Sequence, residues 1–252
     1  MIGRFEENTI YNEDCYKAIK DIPDKSIDLV YIDIPYLYNN GGGGGLLKNE
    51  TRKKLYEDNL KNIKNGIDYS IFDELCRVMK RIYIYIWCSK NQINDIMNYF
   101  IEKNCFYEIL VWCKTNSTPF CNNVWLPDLE YCLFFREESC KLNDGYELKS
   151  KWYVSATNKE DKDLYDHPTI KPLELVKRHI LHSTKKGDVV LDCFMGSGTT
   201  GVACIETNRN FIGFEINPNY FKIAEDRLKG ISQKERRIEE YEKQNGIQQF
   251  DF

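Results

Sequence analysis

Residues Val189–Glu206 read VVLDCFMGSGTTGVACIE. Three apolar residues run into an acid, Asp192, and a turn carrying Gly196, Gly198 and Gly201 follows. From Thr199 the chain continues as small and apolar residues at helical spacing. The pattern is strand, tight turn, helix. Glycine lets the backbone come close to a ligand, and the first turn of a helix presents N–H groups that have no partner inside the helix. The segment after it, Asn210–Glu215 (NFIGFE), is another strand with an acid at its tip. A carboxylate placed there can accept hydrogen bonds from both hydroxyls of a ribose. The combination points to a cofactor containing a nucleoside. The plain alternative is a tight turn with no ligand.

Gly196-Ser197-Gly198-Thr199-Thr200-Gly201 has the form G-x-G-x-x-G, with Glu215 about 20 residues further on, so a nicotinamide-dependent dehydrogenase has to be considered. Its catalytic domain would have to precede the loop, because little chain follows Glu215. A phosphate loop of the Walker type is excluded, since no Gly-Lys-Ser/Thr follows. The dehydrogenase reading also leaves a second stretch unexplained. Asp28–Tyr36 reads DLVYIDIPY, and Ile27–Ile32 is almost continuously apolar, as a strand buried on both faces should be. It ends in Asp33, Ile34, Pro35 and Tyr36, which put a carboxylate, an extended carbonyl and a flat ring in one place. After them come Leu37 and the run Gly41–Gly45, which reads as a mobile lid.

The remaining segments fit the same scheme. TIYNEDCYKAIKDIPDKSIDLVYID reads as strand, short helix, strand. Ile71, Leu75, Val78 and Met79 fall on one helical face, RIYIYIWCS is a β-branched and aromatic strand, and KNQINDIMNYFIEKN is an amphipathic helix. FYEILVWCK and EYCLFFRE are strands joined by a connection too short for a helical crossover, so they form an antiparallel pair. The stretch from Glu138 to Asp166 is polar and reads as an irregular insertion. LELVKRHIL is helical, and Asn217 with Pro218 begins a last helix. The charged tail to Phe252 reads as an exposed, fraying helix. Strands alternating with helices imply an α/β fold with a mostly parallel sheet covered on both faces.

The composition limits the alternatives. With 252 residues, 42% of them hydrophobic and 13% aromatic, the chain can fill the core of one large α/β domain. No run approaches the roughly 20 apolar residues of a membrane span, and the N-terminal residues do not read as a signal peptide. The ten cysteines are scattered without a Cys-x-x-Cys pair, which suggests reduced thiols and a cytoplasmic protein. Three histidines, with His179 and His182 on one helix, and no ligand-spaced cysteines argue against a metal. The net charge is −4, yet Arg77–Lys90 holds four cations and no acid, and Lys48–Lys64 holds six cations against three acids. Both zones suit phosphate contact. Trp112 and Trp125 read as aromatic core, and His167 as structural.

DIPY together with LDCFMGSGTTG resembles the amino methyltransferases that use S-adenosylmethionine (SAM), and more narrowly the β class of DNA adenine-N6 and cytosine-N4 methyltransferases. In that class the catalytic motif precedes the cofactor loop, as it does here. The resemblance implies a Rossmann-like, circularly permuted methyltransferase fold, with a seven-stranded, mostly parallel sheet containing one antiparallel strand. It implies a single domain over residues 1–252, with DNA-recognition insertions at 37–65 and 136–165. It makes Asp33, Ile34, Pro35 and Tyr36 the catalytic residues. Asp14 and Cys15 would meet the cofactor adenine, Thr169 and Lys171 of HPTIKP would lie near the methionine carboxylate, and Asp192, Phe194, Gly196, Ser197, Gly198 and Thr199 would form the loop. Glu215 would take the ribose.

The family's second motif residue is normally Pro where this chain has Ile34. Pro35 still steers Ile34 away from the α region, so its carbonyl stays extended. Asp rather than Ser at position 33 leans toward adenine N6. The implied substrate is a flipped-out base of double-stranded DNA. A homodimer and a cognate restriction endonuclease are further partners left open, and no membrane is expected. Cytosine-N4 methylation, the same chemistry on RNA or a protein amide, and a non-catalytic nucleic-acid-binding subunit are the rival readings.

Overall fold

The computed structural model describes residues 1–37, 66–117, 125–143, 145, 149–157 and 170–230. The glycine run, the basic stretch Lys48–Lys64, His167, Thr169 and the tail 231–252 lie outside the described residues, so the lid, loop-contact and tail expectations are not addressed by it.

The apolar runs become strands β1 (Thr9–Tyr11), β2 (Leu29–Asp33), β3 (Tyr83–Cys88), β4 (Phe106–Lys114), β5 (Leu129–Arg136), β6 (Trp152–Ser155), β7 (Val189–Asp192) and β8 (Asn210–Phe214). The helices are α1 (Cys15–Ala18), α2 (Ile71–Val78), α3 (Ile93–Glu102), α4 (Leu173–Ser183), α5 (Thr199–Glu206) and α6 (Pro218–Leu228). One sheet of eight strands runs in the order β1-β8-β7-β2-β3-β5-β4-β6. Only β5 is antiparallel to its neighbours β3 and β4; every other pairing is parallel.

Among the described residues the sheet already has one strand more than expected. The addition is β6, which pairs in parallel with β4 (Val111↔Trp152, Cys113↔Val154) in a region expected to be irregular. Its alternating exposed and half-buried residues mark it as an edge strand. Just before it, Asn143 donates to the carbonyls of Leu181 (2.8 Å) and Thr184 (2.7 Å), capping the end of α4.

The central strands alternate their side chains between two cores, as the period of two requires. Val30, Ile32, Ile84 and Ile86 meet Phe72, Leu75, Ile96 and Phe100 of α2 and α3. Leu29, Tyr31, Tyr85 and Trp87 meet Leu175, Val176, Ile180, Ala203 and Ala224 of α4, α5 and α6. Trp112 belongs to the second core, whereas Trp125 is 97% exposed and overturns the core reading for that residue. Arg77, placed by its charge in a phosphate-contact zone, is instead an internal staple. It pairs with Glu74 and Asp24 and donates to the carbonyls of Ile22 and Ile19.

Asn217 caps α6 by accepting from the amides of Asn219 and Tyr220, with Pro218 at the first helical position. At the other helix start, Gly198 has φ +80°, and a Cβ built there would come within 3.1 Å of the Ala224 Cβ. Gly198→Ala should therefore cost about 1–2 kcal/mol for the left-handed backbone alone, with the crowding against Ala224 added. Thermal denaturation would read this as a fall of several degrees in Tm.

Candidate active site

Strands β2 and β7 are adjacent and parallel, with Leu29↔Val190 and Val30↔Leu191 in register. Their C-terminal ends thus face the same way, and the tip at Asp33 stands beside the turn that follows Asp192. From β2 the chain passes on to β3 on one side; from β7 it passes to β8 on the other. This is the point in an open parallel sheet where the strand order reverses and ligands bind. The juxtaposition expected from the two motifs is present.

The turn is pinned on its outer side. Met195 N–H donates to the Phe214 carbonyl (3.0 Å) and Gly198 N–H to the Met195 carbonyl (2.9 Å). Gly196 N–H donates to Glu215 Oε2 (2.8 Å), and Asn217 N–H donates to Glu215 Oε1 (2.8 Å). Glu215 in turn is tied to β1, since its N–H donates to the Tyr11 carbonyl and Asn12 Nδ2 donates to its own carbonyl (2.7 Å). Asp14, two residues beyond Asn12, caps α1 by accepting from Tyr16 N–H (3.0 Å). Cys15 is buried with Cys193 in the same core, against which Phe194 packs. So Asp14, Cys15, Phe194, Gly196 and Glu215 come together at the ends of β1, β8 and β7. Ser197 and Thr199 point elsewhere: both hydroxyls take hydrogen bonds from the buried Arg227 guanidinium of α6, at 3.2 and 2.7 Å. Their side chains hold the turn to α6.

Asp192 is buried beneath the turn. Its oxygens accept from Phe194 N–H (2.9 Å) and Thr200 Oγ1–H (2.6 Å). Burial outweighs these bonds and pushes its pKa from 3.8 up to about 7, and the charges of Asp33 and Glu215 add to the rise. Burial also raises Glu215 above the usual carboxylate range, against the pull of its backbone donors.

On the other side of the tip, Asp33 is raised by burial, opposed by the charge of Lys171. The Lys171 ammonium lies 2.5 Å from Asp33 Oδ2, 3.0 Å from Glu130 Oε2 and 3.2 Å from the Tyr36 hydroxyl. Glu130, at the start of β5, also pairs with Lys114 at the end of β4 (2.5 Å) and accepts from the Tyr36 hydroxyl (3.3 Å). Burial would raise Glu130, but the two lysines outweigh it and hold it at about 2. Lys171 is itself raised: burial disfavours its charge, and the two carboxylates more than compensate. The ammonium also lies over the rings of Trp87 (5.2 Å) and Tyr36 (5.4 Å). Asp33 Oδ1 is buried with no hydrogen-bond partner.

The segment after the tip is clamped by Gln92, fully buried at the start of α3. Its amide donates to the Pro35 carbonyl (3.0 Å) and accepts from Leu37 N–H (3.2 Å) and Ser89 N–H (3.0 Å). Ile34 is buried, and its N–H donates to the Trp87 carbonyl (3.2 Å).

Glu130, Lys114, Gln92 and Arg227 were not singled out in the sequence. A trace existed for the first two, as charged residues within or at the end of apolar strands. Nothing local marked Gln92 or Arg227. Among the described residues, no group of three His, Cys, Asp or Glu gathers as a metal site would require, and no helix is long and apolar enough to cross a membrane. His179 is buried against Tyr85 and Tyr31, and burial holds its pKa down to about 3. Cys15, Cys88, Cys132 and Cys193 are free, buried thiols.

Comparison with known proteins agrees with this geometry. Residues 27–226 match the N6/N4 methylase family, described as DNA methylase. The chain is 31% identical over 244 residues to the Type II methyltransferase M2.LlaDCHI of Lactococcus lactis subsp. cremoris, covering 88% of this chain and 90% of that one. It is 32% identical over 249 residues to the Type II methyltransferase M.HinfI of Haemophilus influenzae, covering 89% and 69%. The crystal structure of the M1.HpyAVI–SAM complex is similar with a TM-score of 0.64 and 25% identity, over 87% of this chain and 98% of that one. PvuII DNA methyltransferase (cytosine-N4-specific) shares the fold at a TM-score of 0.69 and 17% identity, over 93% and 91%.

The raised pKa of Asp192 has a consequence for stability. Below about pH 4 the group is protonated whether the chain is folded or not. As pH rises through about 7 the unfolded chain ionises first, so the fold loses stability progressively across that window. The rise from 3.8 to about 7 corresponds to at most about 4 kcal/mol. Asp192→Asn should flatten this part of the curve, so its Tm relative to the parent should climb between pH 4 and pH 8. A constant difference across that range would contradict the assignment.

Proposed function

The chain belongs to the N6/N4 DNA methylase family, and from that premise we propose that it transfers a methyl group from S-adenosylmethionine to an exocyclic amine of a base in double-stranded DNA, adenine N6 being the base amine. The observation that carries the reading is the Asp33 carboxylate at the tip of β2, one strand away from the glycine turn of β7.

The residues present suit the cofactor. Glu215 spends one acceptor site of each oxygen on a backbone N–H. A carboxylate oxygen has two, so each can still accept a ribose hydroxyl. Asp14 and Cys15 are beside it for the adenine, and Gly196 and Gly198 adopt φ of 53° and 80°, leaving the turn without side chains. Phe194 and Asp192 line the base of the turn, and Ser197 and Thr199 serve it through Arg227. Lys171 of HPTIKP stands against Asp33 and Glu130, so its place beside the cofactor, like that of Thr169, is assigned by resemblance alone. When bound, S-adenosylmethionine supplies a methyl group already carried on a positively charged sulfur, so no metal or covalent intermediate is needed.

The work left to the protein is to make a poor nucleophile attack. The lone pair of an exocyclic amine is delocalised into the base. Asp33 and the Ile34 carbonyl accept hydrogen bonds from the two N–H groups, which draws the nitrogen toward tetrahedral geometry and stabilises the positive charge that grows on it. Pro35 and the Gln92 clamp fix the direction of that carbonyl. Tyr36 offers a face on which the base stacks, worth about 1–3 kcal/mol by analogy with single-strand binders. A base inside the duplex cannot reach this tip and has to be flipped out. Asp at position 33 favours adenine over cytosine. Reading of the DNA sequence we assign to segments 37–65 and 136–165, the first following the Asp33 motif in the chain and the second preceding HPTIKP.

Asp33→Ala should abolish methyl transfer, a loss of at least about 10³-fold, while cofactor affinity changes by less than about threefold. Turnover like that of the parent would end the mechanism. Expression in a host without DNA methylation, followed by sequencing that distinguishes N6-methyladenine from N4-methylcytosine, reports base and site together. N4-methylcytosine would overturn the adenine assignment, and unmodified DNA the reading as a whole.

A further inference from the structure

An incoming amine meets a carboxylate already engaged on one of its oxygens. Of the two Asp33 oxygens, Oδ1 is buried without a partner and Oδ2 holds the Lys171 ammonium. The same ammonium covers part of the Tyr36 ring, the face assigned to the base. Both features that the proposed function gives to the substrate are therefore shared with one side chain. That side chain has a second carboxylate within reach, Glu130 at 3.0 Å, while Trp87 and Tyr36 border the ammonium with ring faces that stabilise a cation.

We propose that Glu130 is a positioning residue that receives the Lys171 ammonium when the target amine takes its place on Asp33. This rests on the methyltransferase reading of the site and adds a role for a residue on the antiparallel strand. Lys171 acts as a stand-in for the amine in the free protein, satisfying Asp33 and keeping it ionised. On base entry it shifts wholly to Glu130, which frees Oδ2 beside the already unpartnered Oδ1 and keeps the cation close to Asp33. Nothing covalent changes; one hydrogen bond is exchanged for another.

The charges present make the exchange cheap. Asp33, Glu130, Lys171 and Lys114 form a chain of alternating sign with no net charge, and Lys171 stays inside it in either position. Lys114 holds Glu130 from the far side at 2.5 Å, so the receiver does not move with its guest. A lone buried carboxylate would be far more costly to leave behind.

The test is a pair of substitutions with kinetics on duplex DNA. Glu130→Gln keeps size and shape but removes the receiving charge, so Lys171 remains on Asp33. The turnover number should fall by about 10- to 100-fold with S-adenosylmethionine affinity close to that of the parent; Tm falls as well, because one partner of a buried ion pair is removed, and turnover is read below that Tm. In the double variant Glu130→Gln/Lys171→Met, the guest is absent and no receiver is needed. Its turnover should exceed that of Glu130→Gln at pH values above the acid limb, where Asp33 is ionised without a partner. A double variant slower than the single even at pH values above its acid limb would overturn the proposal, since it would mean that Glu130 acts on the substrate or on the fold directly.

The pH profile gives a second readout. The groups facing Asp33 are Lys171, Glu130 and Cys132 on β5, Cys88 on β3, Tyr31 on β2, Tyr36 and Asp192 on β7. Glu130, held at about 2, is an anion throughout the working range, and its charge opposes ionisation of Asp33. In Glu130→Gln the acid limb of the turnover profile should move to lower pH even as the maximum falls. An unmoved or upward-shifted limb would count against the proposal. If the parent methylates no DNA, the underlying reading has failed; a methylating parent with an unaffected Glu130→Gln sinks this inference alone.

Discussion

The parallel pairing of β2 with β7 is the constraint on which the rest of the molecule depends. Two short stretches more than 150 residues apart in sequence each carry half of a site, and neither half has meaning without the other. The register Val30↔Leu191 fixes both the distance and the direction of the two tips. Because side chains alternate along a strand, a slip of one residue would turn Asp33 to the opposite face and exchange the two cores. Leu29 and Tyr31 on one face, and Val30 and Ile32 on the other, are buried to near zero exposure and oppose any such slip. The precision of the site is thus set by apolar packing that touches no ligand.

Around that constraint the charged groups are arranged to be kept, at some cost, in a dry place. Buried ion pairs stabilise little once desolvation is counted, and replacing them by apolar residues is often neutral for the fold. The chain Lys114–Glu130–Lys171–Asp33 therefore calls for a reason other than stability, and its position at the ligand end of the sheet supplies one. Asp192 and Glu215 tell the same story on the cofactor side. Both are carboxylates raised by burial, and both are held by backbone donors of the turn that they support. An electropositive ligand arriving beside Asp192 and Glu215 would offset the burial that raises both.

Much of this was legible in the sequence because the deciding patterns are local. A buried strand writes itself as a continuous apolar run, a helix as a period near 3.6, and a strand-to-helix turn as closely spaced glycines. The antiparallel β5 was legible from a short connection. The strand β6 was not: four residues with Trp152 and Val154 exposed give no run to read, and only the edge of β4 makes them a strand. Glu130 and Lys114 escaped because their importance is set by what lies across the sheet. The same holds for Arg227, whose grip on Ser197 and Thr199 diverts two hydroxyls that looked available to a ligand. Partners distant in sequence leave no trace in composition or spacing; Arg77, placed by its charge in a basic surface zone, is the clearest case in the other direction.

The substitution at the heart of the motif can also be understood from the ladder. Where the resemblance implies two successive prolines, Ile34 retains an N–H, and that N–H donates to the Trp87 carbonyl at 3.2 Å. A proline there could not make this bond, and the carbonyl of β3 would need another donor. Ile34 also buries its side chain completely in the core formed with α2 and α3. What proline would supply through a fixed φ is thus supplied by a hydrogen bond to the neighbouring strand and by packing. Pro35 restricts the same residue from the other side. The carbonyl that the proposed chemistry uses is held from both ends, and the rigidity of the motif survives the loss of one of its rings.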